Sequence, residues 1–344
     1  MLITRKLSPR RIDLNNILNS NPFLVTSSGH CTTNYVTIFD SNFMPQGLCL
    51  YYSLAKHSGD FSLWVLCVDE IAFATLEKLK LPRLTLLNLA SLETPDLLKV
   101  KPLRTSQEYC WTLTPFAPRF VFEADPRIEY VTYIDADMFL LRSPLTIFNE
   151  FYDSGKSTLI TDHFYAPDYD ESVVFGKYCV QFMIFQREKS EKIRLWWEEK
   201  CIEWCYAISD ENRFGDQKYV EQFQDLFPDE VHVLRNSNAL IAPWNAIAIA
   251  HSQAIAFHFQ GFRILNEYGS KFLAYKGYVI PNPTYQSVYL QYIRLIHEVM
   301  RFHSICIIPL TNDNIFVWYI GVFFRWAKGT YVPGLLRRVT VKIV

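Results

Sequence analysis

From Tyr35 onward, short apolar runs alternate with segments of helical period. YVTIFD (35–40) is β-branched and aromatic and reads as a strand. Ser41 and Asn42 then cap a helix that Pro45 opens, with Leu48, Tyr51, Tyr52 and Ala55 along one stripe. SLWVLCVD (62–69) repeats the strand, DEIAFATLEKLK the helix, and LTLLNLA (84–90) supplies another apolar run. A helical stretch interrupted by Pro115 and Pro118 leads to the strand EYVTYID (129–135), and STLIT (157–161) and KYCVQFMIF (177–185) follow as strands. From Lys189 the spacing of Ile193, Trp197, Cys201, Trp204 and Ile208 predicts a helix, and DQKYVEQFQDLF (216–227) predicts another. VHVL and AIAFHFQ (254–260) read as two more strands. Strands alternating with helices predict an α/β fold on a mixed, mostly parallel sheet covered by helices on both faces.

Half of the 344 residues are apolar and a fifth are charged, so a substantial core can form. The eight cysteines show no paired CxxC spacing and the N-terminus, MLITRKLSPRR, has no apolar stretch, which together suggest a reducing cytoplasm. Cys201 and Cys205 lie one helical turn apart, but no second Cys or His pair accompanies them, and buried packing is the simpler reading. Charge is uneven. From Arg263 to the end there are ten Lys and Arg against three acids, a net +7, which leaves −8 on the first 262 residues of a chain whose total is −1. That shift divides the chain into a polar lead-in (1–33), a main domain (34–263) and a basic, aromatic C-terminal helical extension (264–344). Within the extension Ile315 to Phe324 carries no charge. It is too short to span a bilayer but suited to an anionic membrane interface, or equally to packing on the domain. Nucleic acid is not an expected partner.

The strongest chemical signal is YIDADMF, where Asp135 and Asp137 stand two apart at the end of an apolar strand. Two carboxylates that close require a cation, and the carboxyl ends of strands are where open α/β sheets collect ligands. A divalent ion there would neutralise the charge building on a leaving diphosphate. Acidic pairs at strand ends are common, however, and the motif alone is weak. AFHFQGF adds His258, which as a nitrogen ligand beside oxygens would suit Mn²⁺ better than Mg²⁺, although most histidines in apolar runs are satisfied core residues. Gly261 would let the backbone approach a phosphate, with Arg263 near enough to add charge.

In order and type these pieces resemble glycosyltransferase family 8 and related nucleotide-diphospho-sugar transferases of bacterial polysaccharide gene clusters, over roughly Tyr35 to Arg263. The resemblance implies the GT-A, Rossmann-like fold. It also implies a nucleoside contact at Asp40, Ser41 and Asn42, a metal held by Asp135, Asp137 and His258, and an Asp216–Gln217 pair facing the anomeric carbon of the donor sugar. The implied reaction moves a sugar from a nucleotide-diphosphate donor to a saccharide or lipid-linked acceptor with retention of configuration, on the cytoplasmic side or peripherally on the membrane. Read without the resemblance, Asp216 is a helix N-terminal acid favoured by the macrodipole. Trp244 and Asn245 in APWN would line the acceptor side. The chain departs from the family where relatives place Asn-x-Gly: here stand Cys179, Val180 and Gln181, and Cys179 cannot replace the amide hydrogen bonds.

Two rival readings fit some of the same residues. An aspartate-nucleophile phosphohydrolase also uses DxD with Mg²⁺, but Phe139 stands where it wants Thr or Val. A sugar-nucleotide-binding scaffold without activity would explain Cys179 and Gln181, but not the retention of Asp135, Asp137, Asp216, Gln217 and His258.

Overall fold

A computed structural model describes residues 12–19, 32–210, 212–265, 272–273 and 278–308. Its strands are β1 (Thr33–Phe39), β2 (Phe61–Cys67), β3 (Leu84–Asn88), β4 (Tyr130–Ile134), β5 (Met138–Leu140), β6 (Thr158–Asp162), β7 (Tyr178–Gln186), β8 (Val231–Val233), β9 (Leu240–Ile241), β10 (Ala256–His258), β11 (Arg263–Ile264) and β12 (Phe272–Leu273). Seven form the main sheet in the order β3-β2-β1-β4-β7-β6-β8. Only β7 runs against its neighbours, β4 and β6, so the sheet is mixed and mostly parallel. A small sheet, β5-β10-β9, lies beside it.

Period-two alternation distributes each strand between two cores. On one face Tyr35, Phe39, Leu63, Val65, Phe182 and Ile184 pack with the helices Met44–His57, Leu145–Ser154 and Leu290–Phe302. On the other, Val36, Trp64, Leu66, Val131 and Phe185 pack with the helices Ser106–Leu113, Phe116–Ala124 and Glu191–Glu203. Residues Ile280 to Ile307 contribute to the first of these cores, so the described part of the basic extension is integral to the packing of the main domain.

Local capping fixes the turns that follow the strands. Asp69 caps the helix Glu70–Leu79 through Ala72 N–H, a device worth about 1 kcal/mol, while its other oxygen accepts from both the backbone and hydroxyl of Ser41. Thr105 and Glu108 form a capping box at Ser106–Leu113.

Tertiary contacts override periodicity in three places. The helix expected to reach Ile208 stops at Glu203, because Trp204 turns extended, with Arg213 over its ring at 4.8 Å and Tyr219 donating to its carbonyl. Ile208 is exposed. The stretch 216–227 is a 3₁₀ segment (Lys218–Gln222) and one helical turn (Phe223–Leu226), anchored by bonds from Gln217 and Lys218 to the carbonyls of Phe175 and Val173. The strand expected over 254–260 keeps its ladder only at Ala256–His258. Among the described residues no helix is long and apolar enough to cross a membrane. Ile315 to Phe324, with the rest of 309–344, lies outside the described residues, as do 1–11 and 20–31 of the lead-in.

Candidate metal centre and sugar-nucleotide site

β1, β2, β4 and β6 all end at the same edge of the sheet, and the candidate residues gather there. β4 stops at Ile134, the chain turns through Asp135, Ala136 and Asp137, and β5 leaves the turn to pair antiparallel with β10, placing Met138 opposite His258. Phe259 N–H donates to the Asp137 carbonyl at 2.9 Å and locks this register. Residues 120 positions apart therefore meet. His258 Nε2 lies 3.1 Å from Asp137 Oδ1 and 3.6 Å from Asp135 Oδ2, and one ligand atom from each of the three falls within 4.8 Å of the others.

The surroundings set the charge of each group. His258 is buried, and its Nδ1 lies 2.9 Å from Gln181 Oε1; an amide oxygen only accepts, so Nδ1 carries a proton and Nε2 faces the carboxylates. Burial opposes charge on the ring, but Asp137, Cys179 and Asp135 hold the imidazole well above its ordinary range. Burial raises Asp135 to about 6 against the pull of His258 and of the Tyr133 hydroxyl, which donates to it at 2.9 Å. Asp137, also desolvated, ends below the ordinary carboxylate range because His258 and Arg263 stand beside it. Two partly buried carboxylates and one imidazole nitrogen converging on a point form a mixed oxygen and nitrogen donor set that fits a divalent cation, whose binding would displace the Nε2 proton.

A second arm runs from this centre to Asp216. Thr114, just beyond the helix Ser106–Leu113, donates to the Cys110 carbonyl at 3.5 Å and stands beside both the Tyr133 hydroxyl and the Asp216 carboxyl. Asp216 is 2% exposed, and its Oδ2 is buried without a hydrogen-bond partner among the described residues. Burial, with the charge of Asp135, raises this carboxyl to about 7 although Thr114 pulls the other way. Trp197 Nε1 donates to the Asp216 carbonyl at 2.8 Å, and Gly215 before it adopts φ +52, so the loop is held from both sides. Gln217 donates from Nε2 to the Phe175 carbonyl at 2.6 Å and also bonds His163, a ring that burial depresses to about 3 and so keeps neutral.

Of the remaining sequence candidates, Asp40 accepts Phe43 N–H at 2.9 Å, and Ser41 is tied to Asp69. Asn42 Oδ1 accepts Ile308 N–H at 3.2 Å, so all three shape the turn after β1. Arg263 lies 5.3 Å over the Phe43 ring and acts on Asp137, which bridges that turn to the metal centre. Gly261 has φ +77, a conformation that glycine tolerates and that turns the chain between His258 and Arg263. Trp244 and Asn245 are buried and both donate to the His163 carbonyl, at 2.7 and 2.9 Å. These bonds tie the APWN turn to the backbone at His163, and the Trp244 ring stands edge-on to His258 with centroids 5.5 Å apart. Tyr133, Thr114 and Gln181 were not singled out as functional from the sequence. Tyr133 was within reach, standing two residues before Asp135 on a strand of period two, whereas nothing near Thr114 announces its partners. Residues on either side of His163 line an open cleft of about 680 Å³, whose lining includes Asp162, Phe164, Tyr165, Lys177, Lys218 and Glu221.

No family model matches the chain. Two proteins of Bacillus subtilis (strain 168), both described as uncharacterised, are similar to it. YfnF is 32% identical over 254 residues, which cover 68% of this chain and 83% of YfnF. YfnD is 32% identical over 254 residues, covering 69% and 80%. Among solved structures, the galactosyltransferase LgtC, in complex with donor and acceptor sugar analogues, superposes with a TM-score of 0.50 at 13% identity, over 79% of this chain and all of that one. At that identity the likeness concerns the fold, and the fold is GT-A.

Proposed function

The chain belongs to the family of Bacillus subtilis YfnF and YfnD, and from that footing we propose that it is a metal-dependent glycosyltransferase acting on a nucleotide-diphosphate sugar. The observation that carries the reading is the meeting of Asp135, Asp137 and His258 at the carboxyl edge of a GT-A sheet. Those three side chains would hold the cation. Bound there, a divalent ion supplies neutralisation of the charge that builds on the departing diphosphate.

The chain's own residues account for the rest. Arg263 adds a fixed positive charge on the same side as Asp137, and Gly261, which carries no Cβ, would let a phosphate approach its backbone. The turn Asp40–Asn42 would receive the nucleoside. Asp216, buried beside Thr114, offers a carboxylate to the positive charge that develops on the sugar as its bond to diphosphate lengthens. The clamp on Gln217 from Phe175 and His163 fixes the wall next to it. We assign retention of configuration, as in family 8, to this arrangement. The acceptor we assign to a saccharide, free or lipid-linked, in cell-surface polysaccharide synthesis. The cleft beside Asp162 supports this with charges of both signs and an aromatic ring, a lining suited to sugar hydroxyls and faces.

A panel of nucleotide-diphosphate sugars incubated with the full chain and Mn²⁺ tests the reading. Slow hydrolysis of one donor, abolished by chelator and by Asp137→Ala, is the expected result. Binding without turnover would favour the scaffold. Neither binding nor turnover across the panel would refute the reading.

A further inference from the structure

Gln181 stands in the stretch where the sequence departs from the resembling family, and it is 1% exposed in the middle of β7. An amide in that position is costly to bury unless both its partner and its geometry are fixed. The structure supplies two links. Its side-chain Oε1 accepts from His258 Nδ1 at 2.9 Å. Its backbone carbonyl accepts from Asp135 N–H at 3.1 Å, at the first residue of the turn that carries both aspartates. One β7 residue thus grips the metal centre from both sides, the imidazole through its side chain and the acidic turn through its main chain. A leucine here would fill the same interior with no polar group to satisfy, so core formation alone gives no reason for the amide.

The chemistry of an imidazole ligand gives one. A neutral imidazole has a single N–H, and a cation at Nε2 requires it on Nδ1. An acceptor facing Nδ1 stabilises that tautomer, fixes the ring plane, and makes Nε2 a better donor. Cys179, two residues earlier on β7, also contacts the ring but is a weak hydrogen-bonding group and cannot substitute as the acceptor. We propose that Gln181 is the positioning residue of the metal centre: it sets His258 to ligate through Nε2 and holds the Asp135 turn against it. The proposal rests on the metal reading given above.

The experiment is a titration of the full chain with Mn²⁺, following free Mn²⁺ by electron paramagnetic resonance, on the wild type, Gln181→Leu, Gln181→Glu and Asp137→Ala. Gln181→Leu is expected to weaken Mn²⁺ binding by about 10- to 100-fold, the range seen when such an outer partner is lost. Gln181→Glu keeps an acceptor on Nδ1 and is expected to match or exceed wild-type affinity. In the hydrolysis assay the Leu variant should need more Mn²⁺ for half-maximal rate and recover a near wild-type kcat at saturation, a split that general loosening of the fold would not give. If Gln181→Leu does not fold, Gln181→Asn, whose shorter side chain withdraws the oxygen from Nδ1, serves in its place. Wild-type Mn²⁺ affinity in the Leu or Asn variant, with Asp137→Ala still defective, overturns the positioning role and leaves the metal reading intact. Equal affinity in wild type and Asp137→Ala overturns the metal reading itself.

Discussion

Asp216→Asn separates the cost of a buried charge from every other role of that residue. In the folded chain the carboxyl is buried, with one oxygen unpartnered, and is raised from 3.8 to about 7. A folded-state value above the unfolded one means that the native state binds the proton more tightly. The stability associated with that proton is fully present below about 3.8 and is lost as pH rises through about 7. Above about pH 7 the wild type must ionise in place, at about 1.4 kcal/mol per pH unit of displacement, or roughly 4 kcal/mol in all. At pH 5 only part of that cost has accrued, so moving from pH 5 to pH 8 should cost the wild type about 3 kcal/mol through this group. Asparagine cannot ionise and escapes it. The absolute effect of the substitution also includes an altered contact with Thr114, but that contribution is the same at both pH values and cancels in the difference. Urea unfolding of both proteins at pH 5 and pH 8, in chelator, should show the variant gaining about 3 kcal/mol relative to wild type at the higher pH. A pH-independent difference, or one that favours the wild type as pH rises, would refute the assignment of a desolvated carboxyl to this position.

Arg119→Met removes the partner that Glu198 Oε2 meets at 2.7 Å, leaving a 4% exposed carboxyl, already raised to about 7 by burial, with Arg194 as its remaining cation. A loss of about 3 kcal/mol that deepens between pH 6 and pH 8 is expected in urea melts, and a loss below about 1 kcal/mol would contradict it. Gly215→Ala forces a Cβ onto φ +52 and to 3.1 Å from the Trp111 ring, and should cost at least about 1–2 kcal/mol by the same assay; wild-type stability would show that the loop before Asp216 is not held as described. Arg263→Ala should raise the donor KM by about 10-fold or more, because its charge would act on the donor phosphates; an unchanged KM would remove it from the site.

Alternation of apolar runs with helical stripes places the strands of the main sheet within a residue or two, since they are apolar runs bounded by polar turns, and β2, β4, β6 and β7 are buried along nearly their whole length. The helix Leu145–Ser154 was not anticipated. It begins after Pro144 without a side-chain cap, and its aromatic and β-branched residues weaken the helical signal. The stretch 216–227 has a helical pattern, but the bonds from Gln217 and Lys218 to carbonyls of the short helix Ser172–Phe175 decide its geometry, and those contacts are non-local. The donor set of the metal centre was readable as residue types in order, whereas its convergence depends on the β5–β10 pairing, which places Met138 against His258 and has no local signature. Gln181, beside Cys179, is not legible as functional in the sequence, because a glutamine in an apolar strand announces nothing until its partner is known. Asp40, Ser41 and Asn42 sit at the expected strand end, and their side-chain bonds run to Phe43, Asp69 and Ile308.

Locating the cation is the most direct test of the account. Crystals of the full chain soaked with Mn²⁺ and uridine diphosphate, with data collected at the manganese edge, should show one anomalous peak touching Asp135, Asp137 and His258 Nε2, and the diphosphate on its open side toward Arg263. A fully occupied manganese elsewhere with none at these three side chains, or bound diphosphate with no metal beside it, would contradict the account.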